Sequence, residues 1–322
     1  MSLIRLLQKE IPATVLDETD LFLKAKSIFP KINFRNFEAN QLLEIQKTYG
    51  IDLATAFLYD LIRNRSESTS FYKKLESFAP ESGNFGKIKG KVLVVPAGLY
   101  EELPEYAGDG SLILSIAKKF GLEASKIPVL SKGKISENVK IILDTIKKEK
   151  EPLYVFSFSK GSSDFRVFLE SYPEISSKVK LWISICGVHK GLHLVERFVG
   201  NSKVKNFFSK SLLNVVGIPL EFVSDFSLQS ELLNQSYSIP KHLKTVSVVG
   251  FPIESHLKGT IRGRYQYLSR FGPNDGITLL LDAILPESKI IPVWGADHYF
   301  RSPKISNLLH QIFHALQKGW LF

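Results

Sequence analysis

The sequence predicts an α/β fold: a mainly parallel sheet of about six strands with helices packed on both faces. Three observations carry this expectation. Short runs rich in Val, Ile and Leu recur near residues 91–95, 127–130, 153–158, 180–186, 244–250 and 289–294. They are continuously apolar rather than alternating, as strands covered on both faces are. Between them, near 111–121, 136–149, 160–171, 276–285 and 303–318, apolar residues recur at helical spacing. The chain has 322 residues, 44% hydrophobic and 23% charged, which suffices for a sizeable core.

Residues 1–85 carry no strand pattern. Residues 17–25 open with acidic side chains and continue at helical spacing; 37–49 and 53–62 follow in that style, and 70–78 adds a short helix. This part reads as a helical N-terminal extension. The turn-forming stretch 80–86 joins it to a second part, 86–322, which holds the alternating strands and helices. The alternation breaks between about Lys190 and Lys241. There 195–199, Phe207-Phe208, Leu212-Leu213 and Leu232-Leu233 read as amphipathic helices inserted between strands.

The run 153–158 ends at Ser159-Lys160-Gly161 and passes straight into a helical pattern. A serine on such a turn has its hydroxyl lifted above the sheet. Small residues must flank it, because strand and helix backbones nearly touch. Gly161 meets that need, while Ser157 stands where glycine is usual, so the pattern is S-x-S-x-G. A hydroxyl attacks only when a base takes its proton and a carboxylate holds that base. Asp275, in the loop 272–276, and His298, just past the last strand, follow Ser159 in that order. Asp225 and Asp297 compete for the acid. Asp297 adjoins His298 and is badly placed to reach its far ring nitrogen, and Asp225 lies in the inserted segment. His189, His193, His242 and His256 compete for the base, but the place of His298 just after the last strand favours it over these four.

With S-F-S-K-G at Ser159, N-D-G around Asp275 and G-A-D-H ending at His298, the chain resembles the α/β-hydrolases of bacterial lipase and esterase type, from about residue 90 to 322. The stretch 92–99 resembles the strand and loop that carry half of the oxyanion hole, with Ala97 replacing the family's histidine. The stretch 183–191 resembles a T-P-H-x-G segment with Thr and Pro replaced. The resemblance implies Ser159 as nucleophile, Asp275 as acid, His298 as base, and the backbone N–H groups of Leu99 and Lys160 as oxyanion donors. It implies a cap or lid at about 190–241, and a sheet lacking the family's first strand pair. Tyr100, Tyr106 and His189 are candidates to line or support the pocket; packing is the plainer role for each. The implied activity is cleavage of a carboxylic ester, lipid-like given the apolar lid, through an acyl-enzyme. A thioesterase or acyltransferase would use the same residues, and a non-catalytic binding protein on this fold is the alternative from another class.

Other chemistries find no support in the sequence. The single cysteine, Cys186, falls in an apolar run and reads as a small core side chain. The seven histidines are scattered, without a metal-binding motif, and no phosphate-cradling glycine loop occurs. Neither metal nor cofactor is expected. The net charge of +10 is spread over lysines, with minor clusters at 87–91, 147–150 and 203–210 and no nucleic-acid motif. These read as solvated faces; the sharper alternative is attraction to an anionic membrane or an acyl carrier. No signal peptide and no membrane-spanning run is visible, so the expected location is the cytoplasm.

Overall fold

A computed structural model describes residues 18–28, 34, 37–78, 89–197 and 218–321. Six parallel strands form one sheet: β1 Lys91–Val95, β2 Glu123–Lys126, β3 Leu153–Phe158, β4 Val179–Ile185, β5 Lys244–Phe251 and β6 Lys289–Trp294. Their order is β2-β1-β3-β4-β5-β6. The apolar run at 127–130 is not a strand. The polar segment just before it is, because an edge strand is defined by its pairing with β1 and not by burial. Only the Ile127 amide continues that ladder, donating to the Val94 carbonyl at 2.8 Å.

The helices are α1 Thr19–Ile28, α2 Ala39–Tyr49, α3 Ile51–Asn64, α4 Thr69–Glu76, α5 Ser111–Lys119, α6 Ile135–Lys148, α7 Lys160–Ser171, α8 Leu220–Ser224, α9 Glu231–Asn234, α10 Thr260–Leu268 and α11 Ile305–Gln317. Alternate strand residues face opposite layers. Val94, Phe156, Ile183, Val248 and Val293 meet α4, α5 and α11. Val95, Val155 and Trp182 meet α6 and α7. Toward the β5–β6 end of that second face, Val249, Phe251, Ile290 and Trp294 are covered by α1–α3. Helix α3 is apolar nearly all round and buried from 53 to 62, as a helix sandwiched between a sheet and other helices must be. Phe22 of α1 packs on Trp294 of β6 with ring centroids 4.6 Å apart.

The expected helix at 276–285 is not formed. Oδ1 of Asp275 accepts the N–H groups of Ile277 and Thr278 (2.9 and 2.8 Å), so the chain turns there, and only a 3-10 turn, Leu280–Ala283, follows. The helix of this region is α10, whose Ile261, Tyr265 and Leu268 are buried at helical spacing among arginines. In the inserted region the described elements are a 3-10 turn, Val195–Arg197, and the short helices α8 and α9. The expected helical residues Phe198, Val199, Phe207, Phe208, Leu212 and Leu213 lie outside the described residues. No helix among the described residues is long and apolar enough to cross a membrane.

Candidate active site

At the C-terminal end of β3 the chain turns into α7 at Ser159, whose φ of 46° and ψ of −118° are unusual for a residue with a side chain. The turn is tight. A Cβ on Gly161 would overlap the carbonyl oxygens of Val95 and Pro96, so no larger residue fits. Ser157 is accepted in place of glycine because its side chain points into the core, where Oγ takes a hydrogen bond from Trp182 Nε1 and shares another with Ser162 Oγ, each 2.8 Å.

Ser159 Oγ lies 2.8 Å from His298 Nε2, and His298 Nδ1 lies 2.8 Å from Asp275 Oδ2. Asp275 is fully buried, and its other oxygen is occupied by the two backbone N–H groups of its own turn. The Asp275 carboxylate therefore reaches His298 from a loop whose own N–H groups fix its orientation. The His298 backbone also donates to the Asp275 carbonyl at 2.9 Å. A carboxylate only accepts, so Nδ1 carries the proton and Nε2 is left to accept from the serine hydroxyl. The rival carboxylates are engaged elsewhere. Asp297 pairs with Arg301, and Asp225 accepts the Ile135 amide at the start of α6 (2.7 Å).

The expected oxyanion donors differ from one another. The amide of Lys160, first residue of α7, has no acceptor among the described residues, where a helix leaves its leading N–H groups unsatisfied. The Leu99 amide, by contrast, donates to the Ser131 carbonyl at 2.9 Å and is not available as expected. The neighbouring Gly98 amide has no acceptor among the described residues, and Gly98 lines the cavity that holds Ser159.

That cavity, about 660 Å³, contains Ser159 and His298 and has two walls. One runs through 97–113 and includes Tyr100, Tyr106, Leu112 and Ile113; the other runs from Tyr299 to Leu309. Tyr106 and Tyr299 stack across them, ring centroids 4.0 Å apart, with the Arg301 guanidinium within 5.7 Å and 5.1 Å of the two rings. None of the described residues of the inserted segment lines the cavity. Its α8 instead presses on the back of Gly98 through Phe222. The walls from α5 and the start of α11 were not anticipated; the apolar pairs Leu112-Ile113 and Leu308-Leu309 were the available signal.

His189 does not line the cavity either. It is fully buried, with Nε2 2.9 Å from Ser184 Oγ. Burial, reinforced by Arg166, pushes its pKa down to about 3, and burial pushes His256 down to about 4. Unfolding frees both to bind protons near pH 6.5. Their contribution to stability is therefore complete above that pH and lost as pH falls toward the folded values. Melting curves of His189→Gln should accordingly show a shallower fall in Tm between about pH 6.5 and 4.5 than the parent; an identical slope would contradict this. Cys186 is likewise buried, its thiol pushed well above the usual range by burial. No cluster able to hold a metal ion occurs among the described residues.

No protein-family model matches the chain, nor does any curated protein. Among solved structures it is similar to a metagenomic carboxyl esterase, with TM-score 0.59 and 18% identity over 76% of this chain and 80% of that one. It is also similar to a Bacillus licheniformis lipase in mature form, with TM-score 0.53 and 19% identity over 74% and 97%. Six parallel strands in this order, helices on both faces, and these likenesses make the chain an α/β-hydrolase-fold protein.

Proposed function

We propose that this protein is a serine hydrolase of carboxylic esters. The observation that carries the reading is the continuous hydrogen-bonded chain from Ser159 Oγ through His298 to Asp275, opening into a largely apolar cavity. Nε2 of His298 takes the hydroxyl proton as Oγ attacks the ester carbonyl. Asp275 stabilises the imidazolium that results. The tetrahedral oxyanion forms beside the amides of Lys160 and Gly98, the latter replacing Leu99 in this role. His298 then protonates the departing alkoxide, and a water repeats the sequence on the acyl-enzyme.

The acyl group occupies the cavity between 97–113 and 299–309. Each buried methylene contributes about 0.8 kcal/mol, roughly fourfold in kcat/KM. Activity should rise with acyl length until the cavity is full. Leu112 is 40% exposed, so a change there costs little stability. In Leu112→Asp, the ratio of kcat/KM for p-nitrophenyl octanoate to that for the acetate should fall about tenfold. A preserved ratio would place the acyl chain elsewhere. A fluorophosphonate that labels the parent, but not a variant lacking the Ser159 hydroxyl, tests the hydrolase reading itself.

A further inference from the structure

Directly behind the Ser159 turn lies a buried ion pair that the proposed reaction does not use. Lys160 and Asp164, one turn apart on α7, are 4% and 1% exposed. Lys160 Nζ lies 2.7 and 2.8 Å from the two carboxylate oxygens. Asp164 Oδ2 also accepts from Asn138 Nδ2 of α6 at 2.8 Å, and Asn138 Oδ1 takes the Leu130 amide at 2.9 Å. The next residue, Ser131, accepts the Leu99 amide on its carbonyl and the Glu101 amide on its hydroxyl. Lys160 also touches the loop directly. A Cβ built on Gly98 would lie 3.0 Å from Lys160 Cδ and 2.8 Å from the Phe222 ring. That ring covers the ammonium, with Nζ 5.7 Å from its centroid.

The loop from 97 to 101 is therefore held by one connected set of contacts anchored on the helix that begins at the nucleophile. Stability does not explain why charges stand there. Desolvating two ions costs so much that an apolar pair of similar volume is often as stable or more so. What a hydrogen-bonded pair adds is direction: both carboxylate oxygens and the ammonium have fixed partners, so the lysine stem takes one path past Gly98. Resting on the serine-hydrolase reading, we infer that Lys160, Asp164 and Asn138 are positioning residues. They set the 97–99 loop against the Ser159 turn, and so aim the amides that meet the oxyanion.

The backbone amide of residue 160 survives any non-proline substitution, so Lys160→Met isolates the side chain. Active sites are counted with a fluorophosphonate, and kcat per labelled site is measured on p-nitrophenyl butyrate. The expected result is a fall in kcat on the order of ten- to hundred-fold with KM within about twofold. Affinity for an alkyl boronic acid, which adopts the tetrahedral anionic form on the serine, should weaken by a similar factor. An unchanged kcat per labelled site overturns the proposal. Because Lys160→Met leaves Asp164 buried alone, K160M/D164L is made alongside it to remove both charges. A folded double variant that is equally slow supports positioning; one as fast as the parent overturns it, as does unfolding of both variants, which would assign the network to stability. If the parent itself fails to label, the hydrolase reading fails and this inference with it; labelling with normal turnover in the variants sinks the inference alone.

Discussion

Ser159→Ala is expected to lower ester turnover by roughly 10⁴- to 10⁶-fold while leaving the fold intact. Among the described residues the hydroxyl makes a single hydrogen bond, to His298 Nε2, so little stability is lost with it. The strained turn is retained, because its geometry follows from the close approach of β1 and α7 at Gly161 and not from Oγ. The loss should appear in kcat, with fluorophosphonate labelling abolished and Tm within about 2 °C of the parent. Turnover of p-nitrophenyl esters at the parental rate would remove Ser159 from the chemistry.

Asp275→Asn should cost about 10³- to 10⁴-fold in kcat, and the structure supplies the reason. Two backbone N–H groups, of Ile277 and Thr278, point at one atom of this side chain. In an asparagine that atom must be the carbonyl oxygen, which turns the NH₂ group toward His298. The imidazole then has to accept on Nδ1 and carry its proton on Nε2. That nitrogen faces Ser159 and can no longer take the serine proton. The change is nearly isosteric, so folding should survive. Nitrogen chemical shifts of His298 would report the reversed tautomer directly. Activity within about tenfold of the parent, with the tautomer reversed, would show that His298 is not the base.

Much of the geometry of this candidate site could be read in advance because its parts obey local rules. A serine between an apolar strand and a helix, with glycine two residues on, leaves few backbone paths, and Ser159 sits on one of them. Asp275 and His298 lie in loops at the ends of recognisable segments. The Leu99 amide was misassigned because its state depends on the carbonyl of Ser131, a partner in another loop that no pattern marks. The walls from α5 and α11 escaped notice for a related reason. Helical spacing identifies the apolar stripe of α5 but does not say whether that stripe meets the sheet or a cavity, and here Ile113 does both. Helix α10 escaped notice because only Ile261, Tyr265 and Leu268 of its residues are buried, among Arg, Gly and Gln. The segment 276–285 looked helical because the antiparallel bridge between Asn274 and Leu279, which folds the chain back on itself there, is invisible to periodicity.

Helices α1–α3 bury their apolar sides against β5 and β6, which are synthesised long after them. Asn64, the end of α3, and Lys244, the start of β5, lie 180 residues apart. At about 5–20 residues per second, these helices wait roughly 10–40 s for the surface that covers them. During that interval Phe57, Leu58, Leu61 and Ile62, all solvent-free in the finished protein, have no native partner in the sheet. Synthesis order and assembly order are thus opposed. Over those 180 residues of synthesis the nascent chain exposes apolar helix surface that only the later strands cover.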